Sequence, residues 1–181
     1  MKKYVCIFCG ASEGKSAEIL NQSKLLCDLL ITADYNLVYG GSKNGLMGIV
    51  ANKFLDAGKE VIGVRPQRLI DSEDSHDGLT NLIVVDTMQE RKSEMISKSD
   101  IFIALPGGVG TLDEIIETFT LFKIGFFSKP SGILNTSGYY NGLLLLLEKM
   151  ADTGFLTEEA KSGLVVAETP EDLLTHLSIS K

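Results

Sequence analysis

The feature that most constrains the fold is a repeated alternation of short apolar segments with longer segments of helical periodicity. Short apolar runs bounded by glycine, proline or polar residues are typical of strands that are buried on both faces of a parallel sheet. The helical segments between them supply the long crossover connections that parallel strands require. The pattern predicts an α/β fold: a three-layer, Rossmann-like sandwich with a doubly wound parallel sheet between two layers of helices.

Strand and helix segments can be assigned along the whole chain. The strands lie in YVCIFCG, NLVYGG, EVIGV, LIVVD, DIFIALPGG, PSGILN and GLVVAE. The helices cover residues 16–33, 46–57, 88–98, 111 to about 127, 139–152 and 170–177, and residues 66–78 are predicted to form a polar loop. No segment has the composition of a linker, a repeat or a low-complexity region, so residues 1–181 are expected to form a single domain.

The charge of the chain argues against several classes of partner. Its 17 Lys and Arg residues are outnumbered by 24 Asp and Glu residues, which gives a formal net charge of −7. No basic surface for nucleic acid or an anionic membrane is expected from that balance. No apolar run approaches the roughly 20 residues of a membrane span. The start MKKYVCIFCG lacks the layout of a signal peptide, so a cytoplasmic location is expected.

The three cysteines are Cys6, Cys9 and Cys27. Cys6 and Cys9 form a C-x-x-C pair, which in other contexts indicates a redox or metal site. Here the pair lies in an apolar, strand-like run, where residues three apart point to opposite faces. We therefore expect small buried residues rather than a reactive pair. His76 and His176 stand apart in sequence, so no metal site is predicted.

Three of the predicted strands end in glycine-rich segments, CGAS, YGGSKNGLMG and PGGVGT. Ligands bind at such carboxyl ends in doubly wound sheets. None of the three segments fits a nucleotide fingerprint: Asp113 occupies the last glycine position of G-x-G-x-x-G, and Leu46 stands in place of the Walker lysine. The sequence thus argues against dinucleotide binding and against a P-loop.

The stretch ALPGGVGTLDE, residues 104–114, allows two interpretations. Glycines let backbone N–H groups approach an anion closely, and a following helix adds the positive end of its dipole, so the stretch suits a phosphate. Alternatively, Thr111 to Glu114 reads T-x-x-E, the capping-box pattern of a helix N-terminus, and Asp113 suits a first helical turn. Spacing alone leaves both interpretations open.

Several segments together resemble one family. PGGVGTLDE matches the signature P-G-G-x-G-T-x-x-E of the cytokinin riboside 5′-monophosphate phosphoribohydrolases, the Lonely guy family, formerly described as lysine-decarboxylase-like. VYGGSKNGLMG resembles that family's VYGGG-x-x-GLMG, MQERKSEM its M-H-x-R-K-x-x-M, and SEDSHDGLT its E-x-x-H-x-GL-T. The matches run in order from Cys9 to about Tyr140. Gln89 and Ser42 depart from the family's usual histidine and third glycine.

The resemblance implies hydrolysis of the N-glycosidic bond of a nucleoside 5′-monophosphate to free base and ribose 5-phosphate, with no cofactor and no metal. The substrate would be AMP or an N6-prenylated cytokinin riboside 5′-monophosphate, and the sequence does not decide between them. The resemblance places the family's catalytic groups on Arg91 and Glu114. It places the substrate contacts on Glu73, Arg91, Lys92, Gly107, Gly108, Val109, Gly110, Thr111, Leu112, Asp113, Glu114 and Thr120.

The implied chemistry suits these side chains. Cleavage of the C1′–N bond builds oxocarbenium-like charge on the ribose, which a carboxylate at Glu114 would stabilise while it orients or deprotonates water. Arg91 holds its proton too tightly to be a general acid, so we expect positioning and charge stabilisation from it. For some of the named residues, roles without any substrate contact also remain open. Arg91 and Lys92 fit a solvated helix surface, Glu73 fits a solvated loop, and Thr120 fits simple packing.

Two other functions remain compatible with the same residues. A nucleotide or cofactor carrier would use the phosphate site without turnover, and an amino-acid decarboxylase would need a Schiff-base lysine with pyridoxal phosphate.

A homodimer is expected, both from the resemblance and because the helix after Thr111 carries more apolar residues than one buried stripe needs. These residues are Ile115, Ile116, Phe119, Leu121, Phe122 and Ile124, extended by Phe126 and Phe127.

Overall fold

The computed structural model describes residues 2–72 and 75–179. Within them the strands are β1 (Lys3–Phe8), β2 (Tyr35–Tyr39), β3 (Val61–Pro66), β4 (Asn81–Val85), β5 (Ile101–Ala104), β6 (Ser131–Leu134) and β7 (Leu164–Ala167). The helices are α1 (Ala17–Thr32), α2 (Gly45–Asp56), α3 (Gln67–Ser72), α4 (Met88–Lys98), α5 (Val109–Lys123), α6 (Asn141–Asp152), α7 (Glu158–Ser162) and α8 (Pro170–His176), with a 3₁₀ turn at Thr136–Gly138. None of the helices in these two ranges is long and apolar enough to cross a membrane.

All of these strands are parallel and belong to one sheet, in the order β4-β3-β2-β1-β5-β6-β7. The chain winds outward from β1 to β4, and then returns to the other side of β1 for the remaining strands. The order reverses between β1 and β5, where Val5 pairs with Ile101 and Phe8 with Ala104. A ligand crevice opens beyond the carboxyl ends of strands at such a reversal. The predicted doubly wound parallel sheet is confirmed.

Each face of the sheet buries its own apolar core. One core lies under α1, α2 and α8 and includes Cys9, whereas the other lies under α4, α5 and α6 and includes Cys6. The two cysteines therefore lie on opposite faces, as the strand alternation predicts. They and Cys27 are buried and form no disulfide. Because burial raises the pKa of the Cys6 and Cys9 thiols well above the ordinary value, both stay neutral and pack as small apolar residues.

The structure corrects several predicted boundaries. Helix α3 lies inside the predicted loop 66–78, and α7 was not predicted, because helices of six and five residues are too short for hydrophobic periodicity to reveal. Helix α5 ends at Lys123 rather than near residue 127. Its end is set by Gly125, whose φ of 77° places it in the left-handed conformation that terminates helices. Helix α6 begins at Asn141, two residues after the predicted start, because the 3₁₀ turn precedes it.

Candidate active site

The crevice between β1 and β5 brings together all of the glycine-rich strand ends singled out in the sequence. The Leu105 amide donates to the Phe8 carbonyl at 2.9 Å, and the Gly10 amide donates to the Pro106 carbonyl at 3.2 Å. The segment after β2 joins them, since the Met47 amide donates to the Gly10 carbonyl at 3.2 Å. The topological reversal thus gathers CGAS, YGGSKNGLMG and PGGVGT around one point.

Helix α5 begins without a side-chain cap. Its N-cap is Gly108, which is extended with φ −87° and ψ −161°. The Gly108 carbonyl accepts hydrogen bonds from the amides of Thr111 at 3.1 Å and Leu112 at 3.2 Å. Thr111 is therefore a buried residue inside the first turn, and it cannot be the N-cap that a capping box requires. The capping-box interpretation of Thr111 and Glu114 is wrong, because the helix starts before Thr111.

The start of α5 carries a row of available backbone donors. Within residues 2–72 and 75–179, the amides of residues 107–110 donate to no protein acceptor. The backbone here is also closely packed: a Cβ on Gly107 would lie 2.1 Å from Thr111 Oγ1 and 2.9 Å from the Gly10 nitrogen, so only glycine fits. Unpaired N–H groups at a helix N-terminus attract anions, so this geometry favours the phosphate interpretation.

A buried ion pair lies next to these amides. Arg91 Nη1 on α4 lies 2.5 Å from Glu114 Oε1 on α5, and Arg91 Nε donates to the Val64 carbonyl of β3 at 3.1 Å. The two side chains are only 9% and 8% exposed, which excludes a solvated helix surface for Arg91. Burial raises the pKa of the Glu114 carboxyl, although the Arg91 charge opposes that shift. The site thus holds a carboxyl of raised basicity beside a fixed positive charge.

Gly40, at the end of β2, makes room for the guanidinium. A Cβ on Gly40 would lie 2.4 Å from Arg91 Nη2 and 3.0 Å from Met47 Sδ. Gly41 and Gly45 serve the turn that follows, with φ of 78° and 59°. These glycines therefore serve close packing and a turn. The partner of Gly40 was not foreseen, because its packing neighbour is a charged side chain from α4.

Arg91 and Glu114 line a cavity of about 340 Å³. That volume lies within the range of about 300–1,000 Å³ typical of small-molecule sites. Its wall also carries apolar side chains, those of Met47, Leu69, Met88 and Val109. A second cavity of about 490 Å³ adjoins it, because Gly10, Ala11 and Gly108 line both. Residues 12–16, after β1, and Tyr139 lie on the wall of this second cavity.

The structure brings many of the expected site residues to these cavities. The 340 Å³ cavity is lined by Arg91, Gly108, Val109, Gly110, Thr111 and Glu114, and Gly107 lines the adjoining one. Of the two methionines in the matched MQERKSEM segment, Met95 is buried in the core and Met88 is 44% exposed. Glu73 lies outside the described residues. Among those described, no group of three or more His, Cys, Asp or Glu side chains could hold a metal ion.

Other expected contacts lie away from the cavities. Lys92 Nζ lies 2.8 Å from Glu117 Oε2 and 3.0 Å from Asp113 Oδ2. Hydrogen bonds to Glu117 and Asp113 raise the pKa of Lys92, although partial burial opposes the shift. Lys92 and Asp113 thus tie α4 to α5 beside the ion pair. Thr120 is exposed and donates to the Ile116 carbonyl at 2.7 Å, and Leu112 packs on the core.

Several residues that line the two cavities were not predicted as site residues from the sequence. Cys9 was expected only as a small buried residue, Met47 was assigned only to the helix 46–57, and Leu69 belongs to the helix that was not predicted. Tyr139 was also missed, although its hydroxyl donates to the Gly107 carbonyl at 2.6 Å. One signal could have found it: Tyr139 follows β6 at the same edge of the sheet as the glycine-rich ends.

The sequence is similar to a known protein family and to curated plant proteins. A family model described as "Possible lysine decarboxylase" matches residues 47–177. The chain is 40% identical over 173 residues to "Cytokinin riboside 5'-monophosphate phosphoribohydrolase LOG3" of Arabidopsis thaliana, a match that covers 96% of this chain and 80% of the relative. It is 41% identical over 179 residues to the LOG5 protein of the same plant, which covers 99% of this chain and 78% of the relative.

Solved structures share the fold at lower identity. The molybdenum cofactor binding protein from Rippkaea orientalis has a TM-score of 0.72 at 21% identity, over 98% of this chain and 96% of that chain. The molybdenum cofactor carrier protein from Chlamydomonas reinhardtii has a TM-score of 0.72 at 17% identity, over 99% and 100%. These two likenesses show the fold alone, whereas the plant relatives match nearly the whole sequence. The chain therefore belongs to the family of cytokinin riboside 5′-monophosphate phosphoribohydrolases, the Lonely guy family.

Proposed function

We propose that the chain hydrolyses the N-glycosidic bond of a nucleoside 5′-monophosphate and releases the free base and ribose 5-phosphate. The substrate is AMP or an N6-prenylated cytokinin riboside 5′-monophosphate. One observation carries the proposal: the buried Arg91–Glu114 pair and the amides at the start of α5 line the same cavity. The names of the plant relatives support it, since both are phosphoribohydrolases.

The 5′-phosphate binds at the start of α5. Its negative charge suits the amides of residues 107–110 and the positive end of the helix dipole. Glu114 lies on the second turn of the same helix, and helical side chains lean toward the N-terminus, so the carboxylate leans toward the phosphate site. One rigid helix therefore holds the phosphate and the carboxylate at a fixed separation. Binding energy from the phosphate positions the ribose for reaction.

Glu114 acts on the ribose and on the attacking water. As the C1′–N bond breaks, its negative charge stabilises the positive charge that develops on the sugar. The carboxylate accepts a proton from water as the new C1′–O bond forms, and the base departs with the electron pair of the broken bond and takes up a proton. Because burial raises the pKa of Glu114, it is a stronger base than a solvated glutamate.

Arg91 prepares the carboxylate and does not transfer a proton. Its guanidinium remains protonated, and its contacts with Glu114 Oε1 and the Val64 carbonyl fix the direction of the carboxylate. The positive charge also keeps Glu114 ionised despite its burial. Arg91 lines the cavity as well, so it stabilises negative charge on the substrate.

Incubation with AMP tests this function. The protein should release adenine and ribose 5-phosphate in equal amounts, as measured by chromatography. Glu114→Gln should lower kcat by about a hundredfold or more, since a neutral amide supplies neither charge nor basicity. The control Glu117→Gln changes a carboxylate on the same helix that pairs with Lys92, and it should retain turnover. Wild-type turnover in Glu114→Gln would contradict the mechanism.

A non-catalytic carrier is the second candidate, because the two fold relatives named above bind or carry a molybdenum cofactor. A carrier would need the amides at the start of α5 but not the carboxylate. The buried Glu114 counts against it, since a carboxylate near a bound anion weakens binding and is unfavourable to bury. A protein that binds AMP and leaves it intact would be a carrier. A decarboxylase is not favoured, because no lysine lines the described cavity around Glu114, and Lys15 lines only the adjoining one.

We also propose a homodimer that forms through the end of α5. Of the residues expected at its interface, Ile115 and Phe119 are buried in the core of their own chain, so they cannot contribute. Ile124 and Phe126 are 58% and 77% exposed and supply an apolar surface. Thr120 lies on the same helix outside its own cavities, so a substrate contact from Thr120 would have to reach the cavity of the partner.

The proposal includes a cytoplasmic location without nucleic acid or membrane partners. A net charge of −7 offers no basic surface for either partner. The three cysteines are buried and form no disulfide, which fits a reducing compartment. Fractionation of the cells that produce the protein tests this location, and recovery with the membrane or nucleic-acid fraction would contradict it.

A further inference from the structure

We propose that Tyr139 is a positioning residue of the phosphate site: its hydroxyl holds the Gly107–Gly108 peptide so that the Gly108 N–H faces the bound phosphate. This inference rests on the proposed binding of a nucleoside 5′-monophosphate at the start of α5. It assigns a function to a side chain that the reaction scheme above does not use.

The hydrogen bond of Tyr139 determines the direction of that peptide. The hydroxyl donates to the Gly107 carbonyl at 2.6 Å. The carbonyl and the N–H of a trans peptide point in opposite directions, so the Gly108 N–H points away from Tyr139. This N–H is among the α5 donors that have no protein acceptor in the described parts of the chain. Tyr139 thus binds the peptide from one side and leaves its donor available on the other.

A peptide between two glycines needs such a restraint. Rotation of the peptide changes ψ of Gly107 and φ of Gly108, and neither residue has a Cβ to oppose it. Gly108 also has open space beside it, since apart from its chain neighbours no atom lies within 4 Å of the position that its Cβ would take. A rotated peptide would present the carbonyl oxygen to the phosphate, and an attractive contact would become a repulsive one.

The neighbouring peptides are held by other groups. The carbonyls of residues 105, 106 and 108 accept from the Tyr140 hydroxyl at 2.6 Å, the Gly10 amide at 3.2 Å and the Thr111 amide at 3.1 Å. Two of these donors are backbone groups and the third is a tyrosine that is 2% exposed. The Gly107 carbonyl, in contrast, depends on the half-exposed Tyr139. Loss of the Tyr139 hydroxyl therefore releases one peptide and leaves its neighbours fixed.

The turn before α6 determines the position of the Tyr139 side chain. Ser137 has a φ of 55°, a conformation that non-glycine residues rarely adopt and that often marks a functional segment. The turn is held by the buried Asn135, whose Oδ1 accepts from the Tyr140 amide at 2.7 Å. The rings of Tyr139 and Tyr140 pack edge to face with 5.0 Å between centroids. These contacts fix the ring although its side chain is 49% exposed.

The variant Tyr139→Phe tests the proposal, since it keeps the ring and removes only the hydroxyl. The dissociation constant for ribose 5-phosphate, measured by calorimetry, and KM for AMP should each rise about tenfold, the effect expected for one lost hydrogen bond. Both kcat and the melting temperature should stay close to wild type. The control Tyr4→Phe also removes a bonded hydroxyl, which donates to Glu60 at 2.5 Å near the amino end of β1, and it should leave both constants unchanged.

The outcomes separate this proposal from the proposed function. Unchanged affinity of Tyr139→Phe for ribose 5-phosphate would overturn it, and so would a fall in kcat at constant KM, which would place Tyr139 in the chemical step. A wild-type protein that binds ribose 5-phosphate but leaves AMP intact would remove the hydrolase proposal. The comparison of dissociation constants would still decide the role of Tyr139 in that case. A wild-type protein that hydrolyses AMP but does not bind ribose 5-phosphate would overturn the phosphate site on which the role of Tyr139 rests, and it would leave the hydrolase proposal standing.

Discussion

A single methyl group at residue 40 should disable the site without altering a charged residue. Gly40 is not among the glycines with positive φ, so alanine adopts its backbone conformation without strain. The new Cβ would lie 2.4 Å from Arg91 Nη2, whereas ordinary contacts begin at 3.4 Å. The guanidinium must therefore move by about 1 Å, because Gly40 is itself buried and follows directly on the buried strand β2, so its backbone has little room to shift.

The size of the effect follows from what Arg91 holds in place. Its Nη1 contact with Glu114 at 2.5 Å and its Nε contact with Val64 at 3.1 Å cannot both survive such a displacement. A misplacement of about 1 Å at a reacting centre lowers the rate by roughly a hundredfold, or about 2.7 kcal/mol in the barrier. We expect kcat/KM of Gly40→Ala for AMP to fall by that factor. Its melting temperature should also fall, because the carboxylate loses its buried partner.

The assay is adenine release from AMP, together with circular dichroism and ribose 5-phosphate affinity. That affinity should survive in Gly40→Ala, since the amides that bind phosphate belong to α5. The control Gly142→Ala adds a methyl group in α6, where no atom beyond the adjacent residues and backbone of that helix lies within 4 Å of the new Cβ, and it should match wild type in turnover. A folded Gly40→Ala protein with wild-type kcat/KM would refute the reasoning that the position of Arg91 governs catalysis.

Adenosine should be hydrolysed at least about a hundredfold less efficiently than AMP, because it lacks the anchoring phosphate; equal kcat/KM values would contradict the phosphate site. Burial raises the pKa of Glu114, so kcat/KM should fall on acidification with a midpoint above the ordinary value of about 4.3, and a midpoint at or below it would contradict ionised Glu114 as the base. The raised pKa also affects stability: the contribution of the Glu114 carboxyl to the free energy of unfolding should decrease as pH rises through its pKa in the folded protein. Denaturation curves of Glu114→Gln measured at several pH values should lack this decrease. Phe126→Asp should give a monomer by light scattering, whereas Phe155→Asp, a control at an 83% exposed position, should remain a dimer.

The sequence predicted the layers and the strands, because the hydrophobic pattern of each element extends over its whole length. It did not predict where α5 begins. T-x-x-E satisfies a local rule for capping, but the close packing of Gly107 against Gly10 on one side and Thr111 on the other decides the outcome. Those contacts join strand ends that are nearly 100 residues apart in sequence, so no spacing rule reveals them. Local pattern failed where the long-range approach of two backbones set the conformation.

The candidate site was predictable in its residues more than in its geometry. Arg91 and Glu114 lie 23 positions apart on different helices, so their contact needed the structure. The expectation that both Arg91 and Lys92 reach the substrate had a weakness visible in the sequence. Neighbouring helical side chains diverge by about 100°, so Arg91 turns into the cavity while Lys92 turns to the acids of α5.

The anchoring of the ion pair separates the reaction centre from the mouth of the cavity. The pair depends on the backbone of β3 and on the space at Gly40, both deep in the fold. Met88 and Val109, by contrast, are 44% and 86% exposed at the cavity. Substitutions at these two positions should therefore reshape the mouth of the cavity without moving the ion pair. A protein engineer could therefore vary the rim of this scaffold while its central charge pair stays in place.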